Sequence, residues 1–280
     1  MNSIKKESHM KIYIQTDIEG VAGYCFCEHK DPKMENVQHC HRMYRLLTDE
    51  VNAAVKACFD SGADEVLVND SHGSGYNIIF ENLDPRCRII HGRNCSGPHW
   101  LPLLDASCDA LVLVGMHAMG ETPNAIVPHS KWKVNGGKIY LSEGSMAAAI
   151  AGDHGVPTVF VSGDDKIIAE IKGKIPGIET AEVKKALSVY QACSVIPARA
   201  CEMIYSRVKN GIGRRSEIKP FHIPGPIKLN LLDAPGHIDL KELLPKDVEA
   251  PTVDQAFMEF ERRMSWNCFG TSKLDGFVFP

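Results

Sequence analysis

Lys11-Ile12-Tyr13-Ile14-Gln15-Thr16-Asp17-Ile18-Glu19-Gly20 opens as an apolar run and closes on a charged turn. The β-branched and aromatic residues of Lys11–Thr16 predict a strand. In extended backbone, residues i and i+2 face the same side, so Asp17 and Glu19 present two carboxylates together. Gly20 then lets the chain turn away at little steric cost. Two like charges this close repel, and either a divalent cation or solvent at a loop must compensate. The triplet alone leaves both open.

Working outward, Met43, Leu46, Leu47, Val51, Ala54, Val55 and Cys58 recur at helical spacing over about 35–61, and Ser61-Gly62 closes the helix. Glu65–Asp70 reads as a second strand and ends in Asp70-Ser71-His72-Gly73. Strand, helix, strand at this length predicts a parallel pair joined by a right-handed crossover. A short helix around Asn77–Leu83 leads to a strand at Arg88–Ile90. Ala110–Val114 is a continuous apolar run, typical of a strand buried on both faces, and it ends in Gly115-Met116-His117. Met119 to Asn135, which includes His129, has little periodicity and reads as a long functional loop. Lys138–Leu141 is another strand, ending in Ser142-Glu143-Gly144. A helix of small residues, Met146–Ala151, and a strand, Thr158–Val161, follow, the strand running into Ser162-Gly163-Asp164-Asp165.

Beyond about residue 190 the alternation of strand and helix ceases. A helix at Pro197–Val208, a basic proline-containing linker at Arg214–Pro226, a strand at Ile227–Leu232 and a helix at Phe257–Met264 predict a smaller unit. The expected architecture is α/β: a mostly parallel sheet flanked by helices in three layers over 11–195, then a smaller α+β C-terminal domain over 196–280. Residues 1–10 read as a disordered extension or expression remnant.

The 280-residue chain is long enough for a substantial core; 44% of it is hydrophobic and 24% charged, as in ordinary soluble domains. A net charge of −4 gives no reason to expect nucleic acid or an anionic membrane as partner. No apolar run approaches the roughly 20 residues that span a bilayer. Met1–His9 lacks the apolar core of a secretory signal, and ten scattered cysteines then read as reduced thiols in a cytoplasmic protein. Cys25, Cys27 and His29, with His39, Cys40 and His41, offer zinc-type ligands, but without the CxxC spacing of closed structural sites.

Four expected strands thus end in a metal-ligand residue type: Asp17 with Glu19, His72, His117 and Glu143. In open α/β sheets, ligands bind at the carboxyl ends of the parallel strands. Each residue alone has an ordinary structural explanation; their coincidence at one edge is the strongest signal in the sequence. Three carboxylates and two imidazoles are zinc-type donors and exceed one tetrahedral site with an open position, so two metals sharing a carboxylate fit better. Paired metals clamp a hydroxide and stabilise the oxyanion of a hydrolytic transition state. His129 is then a candidate to move a proton or hold that oxyanion. Asp164 is read as a cap of the helix that follows, with support of a ligand as the alternative.

These residues resemble the DppA-type zinc-dependent D-aminopeptidases, peptidase family M55. The resemblance runs over most of the chain from Lys11. It is densest in Thr16–Gly20, Val68–His72, Gly115–Ala118, Thr122-Pro123, His129-Ser130 and Gly163–Asp165. The family signature is Ser-x-Asp-x-Glu-Gly; Gln15 stands at its serine position, a departure expected to touch packing below the site. By position, the resemblance implies that Asp17 bridges two zinc ions and that Glu19, His72, His117 and Glu143 complete their shells. It implies that His129 is the catalytic histidine, one residue further from His117 than in the family type. It also implies a homo-oligomer, a decamer of two stacked five-membered rings. The expected activity is release of the N-terminal residue of short D-amino-acid-containing peptides by a metal-bridging hydroxide. A metal-dependent hydrolase of another amide or ester, and a non-catalytic metal- or peptide-binding protein, remain the alternatives.

Overall fold

The computed structural model describes residues 9–25, 34–92, 100–233 and 247–264. Three apolar runs, β1 (Lys11–Thr16), β4 (Ala110–Met116) and β7 (Thr158–Asp164), lie side by side at its centre. Every residue of β4 and β7 is buried, as continuous hydrophobicity requires of strands covered on both faces. With β2 (Glu65–Asp70), β3 (Arg88–Ile90), β8 (Glu179–Ser188) and β9 (Gln191–Ser194) they form a seven-stranded sheet, ordered β3-β2-β1-β4-β7-β8-β9. All neighbours are parallel except β8 and β9.

The order of strands fixes where the helices go. From β1 the chain crosses through α1 (Met34–Asp60) to β2 on one side; from β4 it returns through α2 (Glu143–Asp153) to β7 on the other. α3 (Asp165–Lys174) continues in that direction to β8. Right-handed crossovers running in opposite directions put α1 on one face and α2 and α3 on the other. The apolar stripe of α1, from Met43 to Cys58, is buried as its spacing predicts. The strand order therefore reverses between β1 and β4, and ligands bind at such a switch point.

α4 (Pro197–Gly213) packs against α1 and β8, so the helix expected to open the second domain completes a layer of the first. A second sheet, β11-β10-β5-β6, is wholly antiparallel. It joins β10 (Ile227–Asp233) and β11 (Asp247–Ala250) to β5 (Lys131–Val134) and β6 (Ile139–Leu141). Strands from both sides of the expected boundary at 195 thus share this sheet. α5 (Val253–Met264) packs on α2, β10 and β11.

Three local expectations differ. The presumed loop ends in β5; β8, β9 and α3 went unpredicted; and the short helix is one turn at 80–82. At the start of the fold, Met10 is buried, and its amide donates to Asp64 Oδ2 at 2.7 Å. The remainder of the expected extension, residues 1–8, lies outside the described residues, as do Cys27 and His29. Among the described residues, no helix is long and apolar enough to cross a membrane.

Candidate metal centre

The ends of β1 and β4 are joined backbone to backbone. Asp17 N–H donates to Val114 O at 2.9 Å, and Gly20 N–H donates to Gly115 O at 2.7 Å. A Cβ on Gly20 would lie 2.2 Å from Met116 O, and one on Gly115, where φ is +76°, 2.3 Å from Asp17 O. Both positions therefore demand glycine. This close approach brings Asp17 and Glu19, leaving β1, against His117, leaving β4.

Two groups of donors result. Asp17, Glu19 and His72 each place a ligand atom within 4.8 Å of the others, and so do His117, His129 and Glu143. His117 Nε2 links the groups, 3.5 Å from Asp17 Oδ2 and 3.7 Å from Glu143 Oε1. All six residues singled out in the sequence are brought together. Among the described residues no other group has this geometry, and Cys25, His39, Cys40 and His41 belong to neither.

Glu143 reaches the site by a route the sequence misplaces. β6 does not belong to the parallel sheet; it pairs with β5 in the second sheet. It hands the chain to α2, whose first residue is Glu143, after Ser142 caps the helix by accepting from Ser145 N–H. Ser130 Oγ donates to Glu143 Oε1 at 2.7 Å and aims the carboxylate. His129 stacks on His117, with ring centroids 3.8 Å apart and planes 13° apart. Its loop carries positive φ at Glu121, Asn124, Val127 and Ser130. For the β-branched Val127 this is a strained conformation of the kind that clusters at functional sites.

The hydrogen bonds assign the imidazole tautomers. Nδ1 of His117 lies 2.7 Å from Ala118 O, and Nδ1 of His129 lies 2.8 Å from Val127 O. Carbonyl oxygens only accept, so each ring carries a proton on Nδ1 and turns its Nε2 inward. Nδ1 of His72 faces Asn77 Oδ1 at 3.1 Å, while Asn77 Nδ2 donates to Asp70 Oδ1 at 2.8 Å and to His72 O at 2.6 Å. Asp70 is pinned in turn by the amides of Asn77 and Ile78. Nε2 of His72 is thereby turned onto Glu19 Oε1, 3.1 Å away.

Asp17 Oδ2, Glu19 Oε2 and His117 Nε2 are buried and have no hydrogen-bond partner. Buried polar atoms rarely go unpaired, and buried carboxylates cost more than neutral groups do. Burial, reinforced by the charge of Glu19, pushes Asp17 well above the usual carboxylate range. Burial also opposes ionisation of Glu19, but His72 beside it holds that carboxyl well below its ordinary value. Burial works against a charge on His117 too, yet Glu143 and Asp17 raise it to about 10. Burial and the neighbouring His117 push His129 down. Opposed demands of this kind among oxygen and nitrogen donors are met by divalent cations, and the donor set suits zinc. Solvent reaches the centre on one side: the side chains of Glu143 and His129 are 21% and 16% exposed, against 1% for His117.

Other expectations resolve locally. Asp164 caps α3, accepting from the amides of Lys166 and Ile167, as expected. Gln15 is buried below the centre; its Oε1 accepts from Asn69 Nδ2 at 2.7 Å and its Nε2 donates to Ser71 Oγ at 2.6 Å. Asn77 and Ser130 were given no role from the sequence. Ser130 adjoins His129, but Asn77 shows its role only through the fold.

The family whose model is described as D-aminopeptidase, peptidase M55, matches residues 10–262. A D-aminopeptidase of Bacillus subtilis (strain 168) is 29% identical over 221 residues, covering 77% of this chain and 78% of its own length. A solved structure described as the Zn-dependent D-aminopeptidase DppA from Bacillus subtilis, a self-compartmentalizing protease, superimposes with a TM-score of 0.81. It is 25% identical, and the match covers 96% of this chain and all of that one. The fold, its centre and these matches agree: the chain belongs to peptidase family M55, the D-aminopeptidases, and is a peptide hydrolase.

Proposed function

We propose that the chain is a di-zinc aminopeptidase that removes the N-terminal residue of short peptides bearing D-amino acids. The observation that carries this reading is the set of buried, unpartnered ligand atoms on Asp17, Glu19 and His117. They stand in two adjoining donor groups that share no cysteine and open to solvent on one side. Zinc and the D-configuration are supported by the solved relative's description as a Zn-dependent D-aminopeptidase.

In this reading Glu19 and His72 would hold one ion, His117 and Glu143 the other, and Asp17 would serve both. Two divalent cations bound there would supply a more acidic water and Lewis-acid stabilisation of developing negative charge. The protein does the rest. Asn77 and Ser130 fix the directions of His72 and Glu143. The Val127 carbonyl fixes His129, whose Nε2 lies at the exposed side of the centre, where it moves a proton to or from the reacting amide. Burial behind the centre keeps bulk water from the ligand atoms of Asp17 and His117.

A second reading is favoured by one observation: His129 groups with His117 and Glu143 at ligand distance, which also suits a third ligand for that ion. The solved relative is described as self-compartmentalizing, and we propose that this chain forms a closed homo-oligomer, a decamer, in the cytoplasm. Light scattering of the purified protein measures its size.

The deciding experiment measures metal per chain together with hydrolysis of matched D- and L-alanyl peptides on one sample. Two zinc ions and D-selective release of the free N-terminal residue are expected. Two ions with turnover only of N-blocked amides or esters replaces peptidase action with another hydrolysis. Two ions with saturable peptide binding and no turnover makes it a binding protein. No bound metal and no rescue by zinc overturns the reading.

A further inference from the structure

The loop after β1, Gly20 to Cys25, has its backbone fixed on every side. The amides of residues 20–24 all find acceptors: Gly115 O, Ile18 O, Glu50 Oε1, Ser194 Oγ and Val21 O, in that order. The carbonyls converge on one group. Lys184 Nζ, from β8, donates to Glu19 O, to Val21 O at 3.0 Å and to Tyr24 O at 2.8 Å. All three donors of the ammonium are thereby used. The side chain is fully buried, with Glu50 and Asp164 as the nearby compensating carboxylates.

This lysine is inside because of a break in β8. Pairing of β7 with β8 shifts register between Gly163 and Asp164, which face Glu182 and Lys184. Val183 and Lys184 are consequently both buried, interrupting the alternation of inward and outward residues. A buried ammonium is a poor means of stabilising a fold, since a well-packed apolar residue of similar volume is often as good or better. What an apolar residue does not supply is three directed hydrogen bonds to the carbonyls of one loop.

We infer that Lys184 is a positioning residue of the metal centre, holding the Glu19–Tyr24 backbone so that the Glu19 carboxylate faces His72 and Asp17. The inference rests on the reading of Glu19 as a ligand. Lys184 touches no substrate and no reacting atom. It sets the geometry of a ligand through that ligand's own carbonyl, and it does so before any cation binds.

The test uses the full-length Lys184→Met variant, with zinc affinity measured by chelator competition and kcat and KM measured separately. Losing the support of a metal ligand typically weakens binding or activity by about 10–100-fold. Zinc affinity and kcat are expected to fall by that order, with KM little changed. A lower melting temperature with wild-type zinc affinity and kcat in the folded protein overturns the inference and leaves the metal centre standing. Absence of zinc from the wild-type protein instead removes the metal reading itself. If the variant does not fold, amide exchange of wild-type residues 20–24 decides. Equal protection with and without zinc is expected; protection that appears only with zinc overturns pre-organisation by Lys184.

Discussion

The two donor groups of this centre, a few ångströms apart, are built in opposite ways. Asp17, Glu19 and His72 follow the ends of adjacent parallel strands and are braced from behind by Asn77, Asp70 and the buried loop that Lys184 holds. His117, His129 and Glu143 come from a strand end, a strained loop and a helix start reached through the second sheet. The first group is carboxylate-rich and closed; the second is imidazole-rich and partly open to solvent. Hydrogen-bonded turns close the first group, and the strained loop of the second lies at the exposed side of the centre, where loops commonly carry function. His117 Nε2 and Asp17 Oδ2, 3.5 Å apart, join them.

The largest effect breaks both halves at once. Asp17→Ala removes the shared carboxylate, and peptide hydrolysis should fall by about 10³-fold or more with loss of both ions. Metal analysis of the purified variant checks this; retained metal with retained activity sinks the two-group centre. Next is His129→Ala, expected to keep full metal content while kcat drops by about 10²-fold or more. Loss of one ion in place of that result assigns His129 as a ligand of the second group. A smaller effect is expected behind the first group, where Asn77→Ala frees His72 to rotate and should weaken zinc binding by about 10–100-fold. Equal affinities by chelator competition would falsify the bracing role of Asn77.

The smallest effect is one of stability. Burial raises Glu50, which accepts the Ala22 amide, from 4.5 to about 7. Between those values the folded chain binds more protons than the unfolded chain, so this group's contribution to stability declines as pH rises through that window. In metal-free protein, Glu50→Gln should remove that decline, by at most about 1.4 kcal/mol per pH unit. Parallel denaturation curves of variant and wild type from pH 4.5 to 7 would show Glu50 to be uninvolved.

Legibility in the sequence followed the same division. Asp17 and Glu19 were readable because the strand repeat places i and i+2 on one side, and His72 and His117 because each closes an apolar run. Glu143 was found for a reason the structure replaces: it does not end a parallel strand. The three residues of β6 carry too short a pattern to declare a partner, and the sheet they join depends on β10, some ninety residues later. Lys184 was hidden, because a lysine in a strand normally points to solvent, and the register shift that turns it inward is a property of two paired strands.

By itself the sequence determined the central strands β1, β2, β4 and β7, and the six metal-type donors that the fold gathers at their carboxyl ends. These are consequences of local periodicity and of the handedness of strand crossovers. Only the tertiary structure decided that six such residues form two adjoining groups, that the second sheet delivers Glu143, and that Lys184 backs Glu19. Those distances are set by register, bulges and loop closure between segments up to 165 residues apart, where no local pattern can encode them.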